Sequence, residues 1–228
     1  MTATTLEVPT PQGPGRWLLS PSTTDPARAL LVVGHGAGGG LDGVDLVALA
    51  TLLPEAGMSV ARFEQPWHVA GRRVAGRPAT LDEAWLAGLE GLVAQPQLAA
   101  LPLVVAGHSA GARVACRTAE QVGARAVVCL SFPLHPPGKP EATRLGELVA
   151  PAVPVLVVQG ERDPFGSAEE VSSALASGPG ASPRRRTDVV EVSGAAHNLA
   201  VAARVRSAAD HRRYLADRVR DFLEDVLP

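Results

Sequence analysis

Six short apolar runs rich in β-branched residues recur along the chain with helix-like stretches between them, and this alternation is what most restricts its fold. The runs are Ala29 to Val33, Met58 to Phe63, Leu103 to Ala106, Ala126 to Leu130, Val153 to Val158 and Val189 to Val192. A strand that is apolar on both faces needs cover on both, which a parallel sheet flanked by helices supplies. The intervening segments fit that cover. Leu46, Leu49, Ala50 and Leu53 recur at helical spacing, and Thr80 with Glu83 forms a capping-box pattern opening a helix through Trp85, Leu89 and Leu92. Near the C-terminus Leu215, Val219, Phe222 and Val226 form one apolar stripe, with His211 expected on its exposed side. Ahead of Ala29, the segments Leu6 to Val8 and Trp17 to Leu19 flank Pro11-Gln12-Gly13-Pro14-Gly15 and read as an antiparallel hairpin at the sheet edge. The expected architecture is α/β: a mostly parallel, doubly wound sheet with an N-terminal antiparallel hairpin and no large lid, forming one domain over residues 1–228.

Charge and cysteine content exclude several functions. With 21 Lys and Arg against 23 Asp and Glu the net charge is -2, which lacks the basic excess of a nucleic-acid binder. No uncharged apolar run approaches the roughly 18 residues of a membrane span, and residues 1–14 lack the basic and apolar segments of a secretory leader. The expectation is a cytoplasmic protein, a monomer or small homo-oligomer. Cys116 and Cys129 lie in apolar stretches outside any metal-ligand spacing, so they read as buried thiols and no metal is expected. The Gly/Pro/Ser-rich segment from Ser177 to Arg186, ending in Arg184-Arg185-Arg186, reads as a solvated surface loop.

The chemistry sits at the ends of the runs. Gly107-His108-Ser109-Ala110-Gly111 matches Gly-x-Ser-x-Gly, directly after the run Leu103 to Ala106 and directly before the helix-forming segment Ala110 to Gln121. That order gives a strand, a sharp turn and a helix, with small residues flanking the serine because the turn is tight. A serine hydroxyl needs a base, and the base needs a third group to hold its tautomer. Asp163 follows the run ending at Val158, and His197 follows the run ending at Val192. Parallel strands deliver their C-terminal ends to one edge, so Ser109, Asp163 and His197 are expected to converge, with Glu161 the nearest competitor for the acid. Oxyanion donors are expected from the backbone of Ala110 and from the turn His35-Gly36-Ala37-Gly38-Gly39-Gly40, at Ala37 or Gly38.

Further side chains follow strand ends. His35 reads as a hydrogen-bonder of the glycine-rich turn and His108 as packed beside the nucleophile; Gln65, Trp67, His68, Phe132, Leu134, His135 and Phe165 are pocket candidates. Arg72 and Arg73 are either solvated or placed to meet an anionic substrate. About ten residues separate Leu130 from the next helical stretch near Glu141, too few for a helical lid.

On His35 to Gly40, Gly107 to Gly111, Asp163 and His197 the chain resembles the small α/β-hydrolases of the predicted and dienelactone-hydrolase-like group, over most of its length. Phe132-Pro133-Leu134-His135-Pro136-Pro137-Gly138-Lys139-Pro140 is similar to a segment of one intracellular branch of that group. Dienelactone hydrolases proper use cysteine where Ser109 stands here. The resemblance implies a cofactor-free serine esterase or thioesterase taking a small acyl substrate. Two other readings stay open at this point: a catalytically silent scaffold that binds a partner or ligand, and an acyltransferase or cofactor-free haloperoxidase with the same triad.

Overall fold

All six apolar runs become strands of one eight-stranded sheet, and the hairpin supplies the other two. The computed structural model describes residues 3–178 and 186–227. The strands are β1 Thr4–Val8, β2 Gly15–Ser20, β3 Ala29–Gly34, β4 Met58–Glu64, β5 Leu103–His108, β6 Ala126–Leu130, β7 Val155–Gly160 and β8 Thr187–Val192. Their spatial order is β1-β2-β4-β3-β5-β6-β7-β8. Strands β1 and β2 pair antiparallel, as do β2 and β4; every pairing from β4 to β8 is parallel. The helices are α1 Val44–Leu52, α2 Pro66–Val69, α3 Pro78–Val93, α4 Pro96–Ala99, α5 Ala110–Thr118, α6 Leu145–Leu148, α7 Ala168–Ser177 and α8 Ala208–Val226.

Alternate residues of the central strands feed two apolar layers, because successive strand side chains point to opposite faces. Val105, Val127 and Val157 join Trp17, Phe63, Trp85 and Leu92 on one face. Val104, Val128 and Val158 join Leu46, Leu49, Leu215 and Phe222 on the other. The first layer is knitted by rings: Trp17 and Phe63 lie 4.6 Å apart between centroids, and Trp17 Nε1 donates to the carbonyl of Gly88 at 2.8 Å. Residue 88 must be small, since a Cβ there would come within 2.6 Å of the Phe63 ring.

Four local expectations are corrected. Helix α3 starts at Pro78, where the fixed proline φ suits a first helical position, and Thr80 lies inside it donating to Arg77 O at 2.8 Å. Helix α5 stops at Thr118, short of Gln121. The next helix after β6 begins at Leu145, a few residues beyond Glu141. His211 is buried, not exposed, because its Nε2–H reaches the carbonyl of Leu199 at 2.6 Å and ties α8 to the loop before it. Cys116 and Cys129 are both buried and unbridged, with sulfurs 3.4 Å apart. Most of the Ser177 to Arg186 loop, including Arg184 and Arg185, lies outside the described residues; Arg186 itself pairs with Asp188 and Asp225. Among the described residues no helix is long and apolar enough to cross a membrane.

Candidate active site

The C-terminal ends of β3, β5, β7 and β8 meet at one rim, and Ser109 stands at its centre. Ser109 has φ 54° and ψ -110°, a left-handed turn between β5 and α5. The turn is this sharp because backbone passes where side chains would be. A Cβ on residue 107 would lie 2.1 Å from the carbonyl carbon of Gly111, and one on residue 111 would lie 2.4 Å from Gly34 O. The turn is also tied across the sheet, as Ser109 N donates to Leu130 O at 2.9 Å.

His197 is carried by the loop after β8, which reverses at Gly194 with φ 77°. Its Nε2 lies 2.8 Å from Ser109 Oγ, and its Nδ1 lies 2.8 Å and 3.0 Å from the two carboxylate oxygens of Asp163. An ionised carboxylate only accepts, so Nδ1 carries the proton and Nε2 is left to accept from the serine hydroxyl. Asp163 has a fully buried side chain. It is held by Phe165 N at 2.9 Å and by the Gln159 amide at 3.0 Å, and the same amide reaches Gly166 O at 2.6 Å. The Phe165 ring lies against the imidazole at 4.2 Å between centroids. Glu161, the competing acid, is exposed and accepts from Gly194 N at 2.6 Å, so it braces the histidine loop instead.

A cavity of about 670 Å³ opens over the serine. Ala37, Gly38 and Ala110, the expected oxyanion donors, line it together with His108, Phe165 and His197. His35, buried at the start of the glycine-rich turn, donates from Nδ1 to Gly36 O at 2.9 Å and accepts at Nε2 from Gln65 N at 3.1 Å. Burial holds its imidazole below the ordinary histidine value, and His68 pushes the same way. His108 behaves oppositely. Burial opposes its charge, but Asp45, 2.7 Å away, and the more distant Asp163 raise it above the ordinary value.

The other expected wall residues are placed elsewhere. His35, Gln65 and Trp67 line a narrow space behind the glycine-rich turn, where the turn packs on α3 and α5. Trp67 and His68 border an adjoining open groove of about 1090 Å³, which Arg72 and Arg73 also line and which shares Ala37, Gly38, Gly39, Gly40 and Asp42 with the first cavity. Phe132, Leu134 and His135 do not line the catalytic cavity at all. The chain leaves β6 through Ser131 at φ 51°, which turns Phe132 and Leu134 into the apolar layer and leaves Pro133 at the wall. His135 turns back on its own segment, donating from Nδ1 to Pro136 O at 2.9 Å. The sequence reading missed Asp45, Arg113, Arg144 and Gln159. Arg113 stands one helical turn after Ser109, and Gln159 is the polar side chain in the apolar run of β7, so both carried a signal. Asp45 and Arg144 carried none, being brought to the site by long-range folding.

A family model described as alpha/beta hydrolase domain matches residues 27–225. The chain belongs to the alpha/beta hydrolase family. Solved structures agree in fold. An alpha-beta serine hydrolase homologue from Coxiella burnetii is 19% identical with a TM-score of 0.75, covering 96% of this chain and 98% of its own. An α/β serine hydrolase without lid from Xanthomonas campestris is 21% identical with a TM-score of 0.72, covering 100% and 96%. A dienelactone hydrolase from Anabaena variabilis is 16% identical with a TM-score of 0.74, covering 100% and 99%. No curated protein matches the chain.

Proposed function

We propose that the chain is a serine hydrolase that cleaves small esters or thioesters through an acyl-enzyme. The observation that carries this is the unbroken contact series from Ser109 Oγ to His197 Nε2 at 2.8 Å and from His197 Nδ1 to Asp163 Oδ2 at 2.8 Å. In the acylation step Ser109 Oγ bonds to the substrate carbonyl carbon while His197 Nε2 takes the hydroxyl proton. The carbonyl oxygen becomes an oxyanion, for which this reading assigns as donors the backbone N–H groups of Ala37, or Gly38, and Ala110, all of which line the cavity. A helix leaves its first N–H groups without internal acceptors, which suits Ala110 at the start of α5 for this task. The intermediate collapses as His197 returns the proton to the departing alkoxide or thiolate. In the second half a water gives its proton to His197 and its oxygen to the acyl carbon, releasing the acid and restoring Ser109. Asp163 stays ionised and steadies the imidazolium.

Fluorophosphonate labelling tests the reading directly. The native protein should be labelled and Ser109→Ala should not, with kcat on an activated ester falling at least about a thousand-fold. Equal labelling of both proteins would remove Ser109 from the mechanism.

A further inference from the structure

The side chains around the serine are not evenly charged. Strand β3 lies on one side of β5 and β6 on the other. Asp42 and Asp45 reach the cavity from the β3 side, whereas Arg113, on α5, and Arg144, on the segment after β6, line its other part. Asp45 is engaged by His108, and Asp42 is exposed.

On the arginine side the charges do not balance. Arg117 pairs with Asp82 at 2.6 Å and with Glu147 at 2.6 Å, and Arg113 grips Glu147 at 2.6 Å and 2.9 Å. Both oxygens of Glu147 are thus taken by Arg113 and Arg117. Arg144 is the third cation against two carboxylates, and among the described residues no carboxylate comes within ion-pair distance of it. Among the described residues its one side-chain partner is a neutral carbonyl, Pro133 O at 3.1 Å, while its backbone N anchors to Leu134 O at 2.7 Å. A guanidinium has five N–H donors, so most remain available on the cavity wall. The residue is half-buried, and burial together with Arg113 pushes its guanidinium below the ordinary arginine value, although Glu147, beyond ion-pair distance, acts the other way. A partly desolvated cation beside another cation gains most from an incoming anion.

We propose that Arg144 is the anion-recognising residue of this cavity and that the substrate is an ester or thioester bearing a second, free carboxylate. Within this cluster of three arginines and two carboxylates the surplus is one positive charge, which a carboxylate neutralises; a phosphate dianion would leave excess negative charge in a cavity that Asp42 also lines. This assignment rests on the serine-hydrolase reading of the same site, so its test separates the two.

The test compares esters differing in one charge. Methyl hydrogen adipate is set against methyl hexanoate for an anion on the acyl side, and 4-acetoxybenzoate against its methyl ester for one on the alcohol side. In wild type, kcat/KM for the charged member of at least one pair should exceed that of its neutral partner about tenfold or more, and Arg144→Gln should bring the ratio to about one. Arg144→Met, which keeps the aliphatic stem, should do the same and serves if the glutamine variant fails to fold. Ratios near one in wild type for both pairs, or ratios unchanged in a folded variant, would overturn the assignment. If none of the four esters is hydrolysed, fluorophosphonate labelling of Ser109 decides the serine-hydrolase reading separately, and calorimetric titration of the wild type with adipate and 4-hydroxybenzoate decides the anion site. Binding weakened at least about tenfold in the variant supports it. Absent or equal binding overturns it.

Discussion

His35 shows how one side chain couples the glycine-rich turn to the rest of the rim. It must be neutral to accept from Gln65 N, and burial keeps it so by lowering its affinity for a proton. The unfolded chain protonates a histidine near the ordinary value of about 6.5, while the folded chain resists. Its contribution to stability is therefore present above about pH 6.5 and is lost as pH falls through the lowered folded value. Glutamine offers a similarly placed acceptor that does not titrate. His35→Gln should lose about 1 kcal/mol at pH 7.5 and show a shallower decline in unfolding free energy between pH 6.5 and 5 than the wild type. Urea denaturation followed by circular dichroism at pH 7.5, 6.5 and 5.5 measures both slopes, and parallel slopes would assign the acid sensitivity elsewhere.

At the scale of elements, the turn around the serine depends on glycines in two different ways. Gly107 and Gly111 are sites of backbone contact, with a Cβ at residue 107 falling 2.1 Å from main-chain carbon. Gly38, on the turn after β3, has nothing within 4 Å of a Cβ and no positive φ. Gly107→Ala should therefore cost more than about 3 kcal/mol or prevent folding, since backbone cannot yield as a side-chain end can. Gly38→Ala should leave the melting temperature within a few degrees, because restricting the unfolded chain offsets any small loss. Thermal melts of the two variants measure the contrast; equal losses would mean that the turn after β3 is as crowded as the one after β5. The same distinction explains what could be read from the sequence. The elbow was legible because its requirement is local: a strand, small residues at 107 and 111, then a helix. Asp163 and His197 were legible because parallel strands send the loops after β7 and β8 to one rim. Phe132 and Leu134 were misplaced because one residue, Ser131 at φ 51°, decides which way the segment after β6 turns, and no periodicity encodes that. Arg144 was invisible because its importance lies in the carboxylates that Arg113 and Arg117 take first, a fact of partners far away in sequence.

For the whole molecule, the two apolar layers share the strands that separate them. Val104 and Val105 are neighbours in β5 yet belong to opposite layers, as do Val127 and Val128 in β6 and Val157 and Val158 in β7. Neither layer can lose its packing while these strands keep their order, so the two should melt together even though α1 and α8 cover one face and α3 the other. Leu49, in α1, and Leu92, in α3, are both fully buried, one in each layer. Replacing either by alanine should cost about 2–5 kcal/mol, which for a chain of this size lowers the melting temperature by roughly 5–15 °C. Both variants should still unfold in one step, with far-UV and near-UV circular dichroism giving the same midpoint. The three tryptophans make the near-UV signal selective for one face, since Trp17 and Trp85 lie in the Leu92 layer and Trp67 packs against it. Leu49→Ala should therefore shift the near-UV transition although it removes nothing from the tryptophan side. If the near-UV midpoint stayed at the wild-type temperature while the far-UV midpoint fell, the layers would be independent and the shared strands would not transmit stability between them.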